Sequence, residues 1–201
     1  MKDFGCAIVL AGGNSQRMGF DKQKIILHNN RLMDRITEML AEEFEQIIIV
    51  TNVPDIYKNS PYIITKDEIK NMGPLGGIYS GLKKASSLYS YVIACDMPVI
   101  NMEYIHMMKE RITIRKPQAC VARYKEWIEP FNAFYSSAQI EKIEECLGRG
   151  ERSVYNCLKG CDVLYIEESD ARKFSPNWDM FYNLNTRGEL ASYLANAEEN
   201  G

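Results

Sequence analysis

The stretch FGCAIVLAGGNSQRMGFDK, residues 4–22, decides how this chain is interpreted. Its first part, Phe4–Leu10, is a continuous apolar run, which is typical of a strand buried on both faces of a parallel sheet. Its second part, residues 10–22, places three glycines and two cations directly after that strand. Ligands bind at the carboxyl ends of strands in open α/β sheets, so we expect a central strand that leads into a binding loop.

Short apolar runs alternate with helical periodicity on the carboxyl side of this stretch. The pattern predicts helices over 31–45 and 74–82, and strands over 46–51, 62–65 and 91–95. Such alternation is typical of parallel strands that are joined by crossover helices. The expected fold class is therefore α/β, a three-layer Rossmann-like fold with a mostly parallel central sheet.

The order of elements is less regular after residue 98, and we expect the sheet to become mixed there. The patterns predict helices over 101–111 and 137–147 and strands over 118–123 and 162–167. Nothing in the composition marks a linker or a repeat, so we predict a single domain over residues 1–201. Residues 196–201 are expected to form a frayed tail.

Two helix starts carry the sequence signature of a capping box. Ser136 with Gln139 predicts the start of the helix over 137–147. Thr186 with Glu189 predicts a last helix that begins at Arg187.

The composition indicates a folded protein that binds a small ligand. Of its 201 residues 46% are hydrophobic, which is enough for one sizeable core. Its 24 basic and 27 acidic side chains lack the positive excess that binds nucleic acid or an anionic membrane. The sequence shows neither an export signal nor a membrane-spanning run, so we expect a cytosolic location and mostly reduced cysteines.

The glycine-rich loop has the composition of a polyphosphate site. Gly12, Gly13 and Gly19 allow backbone amides to approach a bulky anion, and Arg17 and Lys22 add two positive charges. The loop has neither the Gly-Lys-Ser/Thr of a Walker A loop nor the spacing of a GxGxxG fingerprint. Taken alone, the glycines are equally compatible with a tight turn beside solvated cations.

Two further segments favour the phosphate interpretation. Residues 71–77, NMGPLGG, bring a second glycine-rich segment to the start of a predicted helix. Asp96 ends the strand predicted over 91–95, where a lone carboxylate is suited to hold Mg²⁺ on a phosphate. We therefore expect the loop, the second glycine segment and Asp96 to share one rim of the sheet.

Five motifs follow one another along the chain. The opening segment LAGGNSQRMGFDK is followed by GPLGG (73–77), ACDMP (94–98), GERSV (150–154) and NLNT (183–186). In order and approximate spacing they resemble the LAGGxSxRMGxDK, GPLxG, CDxP, GERxV and NxNT motifs of the molybdenum cofactor guanylyltransferases, within the nucleotidyltransferase fold. The opening motif is shared with cytidylyl- and sugar-nucleotide transferases, whereas the paired glycines and NxNT favour the guanylyl branch.

The resemblance implies a role for each matching residue. The positions implied to bind GTP and its Mg²⁺ are Leu10, Ala11, Gly12, Gly13, Lys22, Asn52, Asp67 and Asp96. The implied catalytic residues are Arg17 and Lys22 at the triphosphate and Asp96 at the metal. The positions implied on the molybdopterin side are Arg152, Asn183 and Asn185, although either asparagine is also compatible with a turn or a cap.

The implied reaction transfers GMP from GTP to the terminal phosphate of molybdopterin, or of its molybdenum-loaded form, with release of pyrophosphate. A phosphate monoester has a second pKa of about 6, so this nucleophile is ionised at neutral pH and needs no general base. The resemblance also implies contact with cofactor-delivery proteins, for which no motif is visible. The alternatives are a cytidylyl- or sugar-phosphate nucleotidyltransferase of the same fold and a non-catalytic nucleotide-binding homologue.

The chain departs from the family pattern at two positions. Glu129 stands where many relatives have His or Gln, and Arg187 replaces a common proline after NxNT. The capping box can compensate for the second change. Glu129 is expected near the acceptor cleft, so the first change puts the identity of the acceptor in more doubt than nucleotide binding.

Overall fold

The predicted first strand is the centre of the main sheet in the computed structural model, which describes residues 2–12, 22–27, 29–69 and 72–199. The strands are β1 (Cys6–Leu10), β2 (Ile26–Leu27), β3 (Asn30–Arg31), β4 (Gln46–Val50), β5 (Ile63–Thr65), β6 (Tyr89–Ala94), β7 (Ala119–Tyr124), β8 (Trp127–Ser136) and β9 (Val163–Glu167). The α-helices are α1 (Leu32–Glu43), α2 (Gly73–Leu82), α3 (Met102–Arg115), α4 (Gln139–Gly148), α5 (Val154–Leu158), α6 (Glu168–Ala171) and α7 (Arg187–Glu199).

Within the described residues, the main sheet has seven strands in the order β5-β4-β1-β6-β8-β7-β9. The first four strands in this order are parallel, β8 is antiparallel to β6 and β7, and β9 is parallel to β7. This mostly parallel, mixed sheet confirms the expected α/β class. Every residue of β1 is buried, as its continuous apolar run predicts.

Alternate residues of β1 contribute to two separate cores. Ala7 and Val9 belong to the core that includes buried residues of α1 and α3. Cys6, Ile8 and Leu10 belong to the core that includes buried residues of α2, α4 and α5. Because neighbouring residues of a strand point to opposite faces, the sheet lies between two layers of helices.

Two glycines of α2 let this helix pack directly against β1. A methyl group at Gly81 would lie 2.5 Å from Cγ2 of Ile8, and one at Gly77 would lie 3.2 Å from Cδ2 of Leu10. The first distance is shorter than non-bonded carbon atoms tolerate. Since Gly77 meets the end of β1 and Gly81 meets its middle, the amino end of α2 lies at the carboxyl edge of the sheet.

Strand β8 is the long element that the sequence pattern does not predict. Its register with β7 shifts between Cys120 and Ala122, so residues 130–133 form a bulge. Within the bulge Asn132 has a φ of +51°, and Pro130 has no N–H to donate. The bulge interrupts the alternation that identifies a strand, which explains why the sequence pattern fails here.

The two predicted capping boxes have different outcomes. At α7, the N–H of Glu189 donates to Oγ1 of Thr186 (3.1 Å) and the N–H of Thr186 donates to Oε2 of Glu189 (2.7 Å), which confirms the box. At α4 the prediction is wrong, because the helix begins at Gln139 and Ser136 belongs to β8. Ladder pairing with Tyr89 keeps Ser136 in the strand, and Gln139 is buried instead of capping.

The remaining predicted elements are present with shifted ends. β6 begins at Tyr89, two residues before the predicted start, and α3 extends to Arg115. The short helices α5 and α6 were not predicted. The backbone of α7 continues as a helix to Glu199, and the single domain and its frayed tail stay predictions.

Two further observations concern the whole described part of the chain. None of its helices combines the length and the apolar character that a bilayer crossing requires. The six cysteines all lie in the described ranges, and no disulfide joins any two of them.

Candidate active site

A cleft of about 720 Å³ lies at the carboxyl edge of the sheet, where β1, β4 and β6 end. The predicted site residues found in its walls are Leu10, Ala11, Gly12, Lys22, Asn52, Asp67, Asp96, Arg152, Asn183 and Asn185. Gly13 and Arg17 lie outside the described residues. The structure thus gathers every described member of the predicted set around one cleft, while the role of each member stays a prediction.

Lys22 joins two distant parts of the chain inside this cleft. Its Nζ donates to Oδ2 of Asp96 at 2.5 Å and to Oδ1 of Asn185 at 2.7 Å. Asp96 is only 5% exposed, and the Lys22 side chain is 26% exposed. An ion pair that is shielded in this way interacts more strongly than a pair in bulk water. The cleft therefore holds an ammonium group and a carboxylate at one fixed point.

Backbone hydrogen bonds hold the NLNT segment beside Asp96. The N–H of Leu184 donates to the carbonyl of Asp96 at 2.9 Å, and the N–H of Asn185 donates to Oε2 of Glu189 at 2.6 Å. The neighbouring Asn183 lines the cleft, and its Oδ1 is buried with no hydrogen-bond partner among the described groups. Buried acceptors normally have partners, so this oxygen is suited to accept from a ligand.

The amino end of α2 forms another wall of the cleft. Gly73, Pro74 and Gly77 line it, and the φ of +63° at Gly73 is a conformation that glycine adopts without strain. Proline is well suited to the first turn of a helix, where its missing N–H would have no partner. The free amides of a helix amino terminus attract anions, so this wall is suited to phosphate.

Asp67 brings a second carboxylate to the cleft, close to Gly76. A methyl group at Gly76 would lie 2.9 Å from Oδ1 of Asp67, so a larger residue there would displace the carboxylate. Burial raises the pKa of Asp67, and a hydrogen bond from the N–H of Ile69 (3.2 Å) partly offsets this effect. Asp67 therefore presents a partly desolvated acceptor to a ligand.

The motifs did not single out Gln23, which also lines the cleft. Its buried Oε1 accepts hydrogen bonds from the hydroxyl groups of Thr51 (2.8 Å) and Tyr57 (3.1 Å). These bonds attach the residue after Lys22 to the end of β4. The position next to Lys22 is the one signal in the sequence that could have suggested Gln23.

The motifs also missed Phe131, which the bulge of β8 brings to the cleft. The next residue, Asn132, donates from Nδ2 to the carbonyl of Met180 and accepts a hydrogen bond from the hydroxyl of Tyr91. Both partners are more than 40 residues away in the chain. No local pattern reports such a contact, so the position of Phe131 could not be predicted.

Glu129 does not itself line the cleft, although Phe131, two residues further along β8, does. Its carboxylate accepts a hydrogen bond from Nε1 of Trp178 at 3.2 Å. Burial raises the pKa of Glu129, and the bond from Trp178 partly offsets this effect. The carboxylate of Glu129 is therefore bonded to Trp178, and its effect on the acceptor stays a prediction.

Comparison with known sequences identifies similar proteins. A family model described as a MobA-like NTP transferase domain matches residues 7–168. The molybdenum cofactor guanylyltransferase of Syntrophotalea carbinolica is 47% identical over 190 residues, which cover 94% of this chain and 90% of that protein. A probable molybdenum cofactor guanylyltransferase of Peptoclostridium acidaminophilum is 48% identical over 203 residues, with coverage of 98% and 92%.

Comparison with solved structures shows the same fold in more distant proteins. Molybdopterin-guanine dinucleotide biosynthesis protein A of Archaeoglobus fulgidus superposes with a TM-score of 0.84 at 22% identity, covering 96% of this chain and 98% of that one. The 2-C-methyl-D-erythritol 4-phosphate cytidylyltransferase of Thermus thermophilus gives a TM-score of 0.70 at 10% identity, with coverage of 96% and 99%. The expected nucleotidyltransferase fold is confirmed.

Proposed function

The chain belongs to the family of MobA-like NTP transferase domains, and on that premise we propose that it is a molybdenum cofactor guanylyltransferase. It transfers GMP from GTP to the terminal phosphate of molybdopterin, or of its molybdenum-loaded form, and releases pyrophosphate. The observation that supports this most directly is the contact of Lys22 with both Asp96 and Asn185. Lys22 and Asp96 are assigned to the nucleotide and Asn185 to the acceptor, so this contact joins the two parts of the site.

The nucleoside occupies the part of the cleft that Leu10, Asn52 and Asp67 line. Guanine presents two neighbouring N–H donors on its Watson–Crick edge, and an ionised carboxylate can accept both. Cytosine presents acceptors at the corresponding positions, which would face the carboxylate with repulsion. Asp67 therefore favours GTP over CTP.

The triphosphate lies between Lys22 and the amino end of α2, where cationic and amide donors are available. In the described ranges, no three acidic, His or Cys side chains form a group that could hold a metal by themselves. Mg²⁺ commonly binds through one or two carboxylates together with water and substrate phosphates, so Asp96 fits this ion. Bound there, Mg²⁺ would neutralise charge on the departing pyrophosphate.

The acceptor phosphate lies beside Asn185, with Arg152 in the same cleft. Its second pKa of about 6 leaves it ionised at neutral pH, and the residues therefore need only to align it. Lys22 and Arg152 reduce the repulsion between the two anionic substrates. We assign Arg17, outside the described residues, to the triphosphate as a second cation.

Calorimetric titration with GTP, CTP and UTP in the presence of Mg²⁺ tests the nucleotide assignment. The wild-type protein should bind GTP most tightly, and Asp67→Asn should reduce the discrimination against CTP. Leu88→Ala removes an exposed side chain that does not line the cleft and serves as the control. A clear preference for CTP in the wild-type protein would contradict the proposal and favour a cytidylyltransferase.

Pyrophosphate release with molybdopterin as the acceptor tests the transfer itself. We expect release that requires GTP, Mg²⁺ and molybdopterin together. Nucleotide binding without release would favour a non-catalytic homologue. We also propose that the protein contacts cofactor-delivery proteins and that it is located in the cytosol.

A further inference from the structure

A second cavity, of about 820 Å³, lies beside the tip of the β7–β8 hairpin. We call it the outer cavity, and its walls include Arg123, Ile128, Tyr155, Tyr165 and Glu167. These residues come from β7, β8, α5 and β9. No motif of the sequence and no step of the proposed reaction assigns a role to any of them.

The outer cavity and the cleft are lined by neighbouring residues of the chain. Phe131 and Arg152 line the cleft, whereas Ile128 and Tyr155 line the outer cavity. Ile128 is three residues from Phe131 along the chain, and Tyr155 is three residues from Arg152. A strand rises about 3.3 Å per residue, so the Cα atoms of Ile128 and Phe131 are no more than about 10 Å apart along β8. The cleft and the outer cavity therefore come close together at β8.

Two ion pairs join four charged side chains of the outer cavity, and the remaining two, Lys125 and Glu126, carry opposite charges. Arg123 donates to both carboxylate oxygens of Glu167, at 3.2 and 2.5 Å, and Arg172 donates to Glu168 at 2.7 Å. A guanidinium group that is already paired offers little net charge to a further anion. The phosphate end of a ligand is therefore better served by Lys22 in the cleft than by the outer cavity.

Aromatic rings are the distinctive groups of the outer cavity. The ammonium group of Lys159 lies over the Tyr155 ring, 4.8 Å from its centroid. The guanidinium group of Arg123 lies over the Tyr165 ring, 4.9 Å from its centroid. Flat rings flanked by carboxylates and cations suit a neutral, planar heterocycle that stacks with its face and hydrogen-bonds with its edge.

We propose that the outer cavity binds the pterin ring of the acceptor, with Tyr155 as a stacking residue. This inference rests on the proposed function, because molybdopterin carries its phosphate and its planar pterin at opposite ends. With the phosphate beside Asn185, the molecule passes Phe131 and places its pterin between Ile128 and Tyr155. The carboxylate of Glu167 lies in the same cavity and can accept hydrogen bonds from the pterin edge.

Steady-state kinetics of Tyr155→Ala, with molybdopterin varied at saturating GTP, provide the first test. Stacking of a heterocycle on an aromatic side chain contributes about 1–3 kcal/mol, so KM for molybdopterin should rise about 5- to 100-fold. The affinity for GTP should stay unchanged and kcat should change less than about twofold. Tyr155→Phe keeps the ring and should retain the wild-type KM.

Trp127→Ala is the matched control for this test. Trp127 is 73% exposed and adjoins Ile128 in β8, but it does not line the outer cavity. This variant should keep the wild-type KM. An unchanged KM in Tyr155→Ala, or an equal rise in Tyr155→Phe or Trp127→Ala, would overturn the stacking role of Tyr155.

Titration with free pterin, followed by its fluorescence, separates this inference from the proposed function. The wild-type protein and Tyr155→Phe should bind pterin, and Tyr155→Ala should bind it about 5- to 100-fold more weakly. Tyr155-dependent binding in a protein that transfers no nucleotide would contradict the proposed function and support the pterin site. Nucleotide transfer without any effect of Tyr155 on pterin binding or KM would overturn the pterin site alone. Failure of both assays would overturn both proposals.

Discussion

Single residues meet in the cleft because the chain returns twice to the carboxyl end of β1. Lys22 follows the glycine-rich loop, Asp96 follows β6, and Asn185 precedes α7. The three side chains form one hydrogen-bonded group, although up to 163 residues separate them. A ligand that binds to this group contacts three segments of the chain at once, which gives it a precise position without large movements.

Replacement of Asp96 by asparagine should abolish turnover and leave the fold intact. The substitution keeps the size of the side chain, and the backbone carbonyl that accepts from Leu184 is unaffected. It removes the negative charge assigned to Mg²⁺, so we expect a loss of at least about 10²-fold in kcat. Pyrophosphate release measures the rate, and circular dichroism checks the fold. Unchanged Mg²⁺-dependent release would contradict the role of Asp96.

Replacement of Lys22 by alanine should weaken stabilisation of the transition state by about 3 kcal/mol, which is typical of the loss of one preorganised donor. The expected measurement is a fall of about 10²-fold in kcat/KM with GTP. Lys84→Ala removes an exposed lysine that does not line the cleft and serves as the control. A lower melting temperature with normal kinetics would show that Lys22 is a structural residue.

At the scale of elements, the packing of α2 on β1 determines the position of the wall that we assign to the triphosphate. Gly81 and Gly77 bring the helix close to Ile8 and Leu10. This contact places the amino end of α2 at the carboxyl edge of the sheet, beside Gly12 and Lys22. The helix therefore serves the site through its position as well as through its free amides.

Gly81→Ala should destabilise the protein by about 1–3 kcal/mol, because its methyl group would overlap the fully buried Ile8. The higher helix propensity of alanine, about 1 kcal/mol, opposes this effect without cancelling it. Denaturant unfolding measures the difference in free energy. Gly148→Ala is the matched control, since a methyl group there meets no atom within 4 Å. Equal stabilities of the two variants would contradict the close contact.

At the scale of the whole molecule, an ion-pair network connects the helices that cover one face of the sheet. Asp170 of α6 accepts hydrogen bonds from Lys173 (2.6 Å) and from Arg111 of α3 (2.8 Å). The bond from Lys173, followed by that from Arg111, lowers the pKa of Asp170. A carboxyl group with a lowered pKa stabilises the fold above its unfolded pKa of about 3.9 and loses this contribution as pH falls through the folded pKa.

Asp170→Asn should therefore destabilise the protein near neutral pH, by no more than about 1 kcal/mol because the network is partly exposed. The difference from the wild-type protein should shrink as the pH falls below about 4. Urea unfolding at about pH 7 and about pH 3 measures both values. Asp55→Asn is the control, since its side chain is 83% exposed, and it should change stability little at either pH. A difference for Asp170→Asn that does not depend on pH would contradict the ionic origin.

The parallel half of the fold and the motif residues of the cleft could be predicted from the sequence. The apolar runs of β1, β4 and β6 report burial, and the glycine-rich loop follows β1 directly. Strand β8 could not be predicted from the sequence, because its bulge depends on the contacts of Asn132 with Tyr91 and Met180. The predicted start of α4 was wrong for the same reason, since the pairing of β8 with β6 keeps Ser136 in the strand.

The sequence by itself determined the α/β class, the family and the motif residues that surround the cleft, because periodicity and motifs are local properties of the chain. Only the tertiary structure decided that Lys22 bridges Asp96 and Asn185, that Phe131 enters the cleft and that Glu129 turns to Trp178. It also decided that residues of β7, β8, α5 and β9 line the outer cavity. These features depend on which distant segments meet, and strand pairing and side-chain packing settle that only when the whole chain is folded.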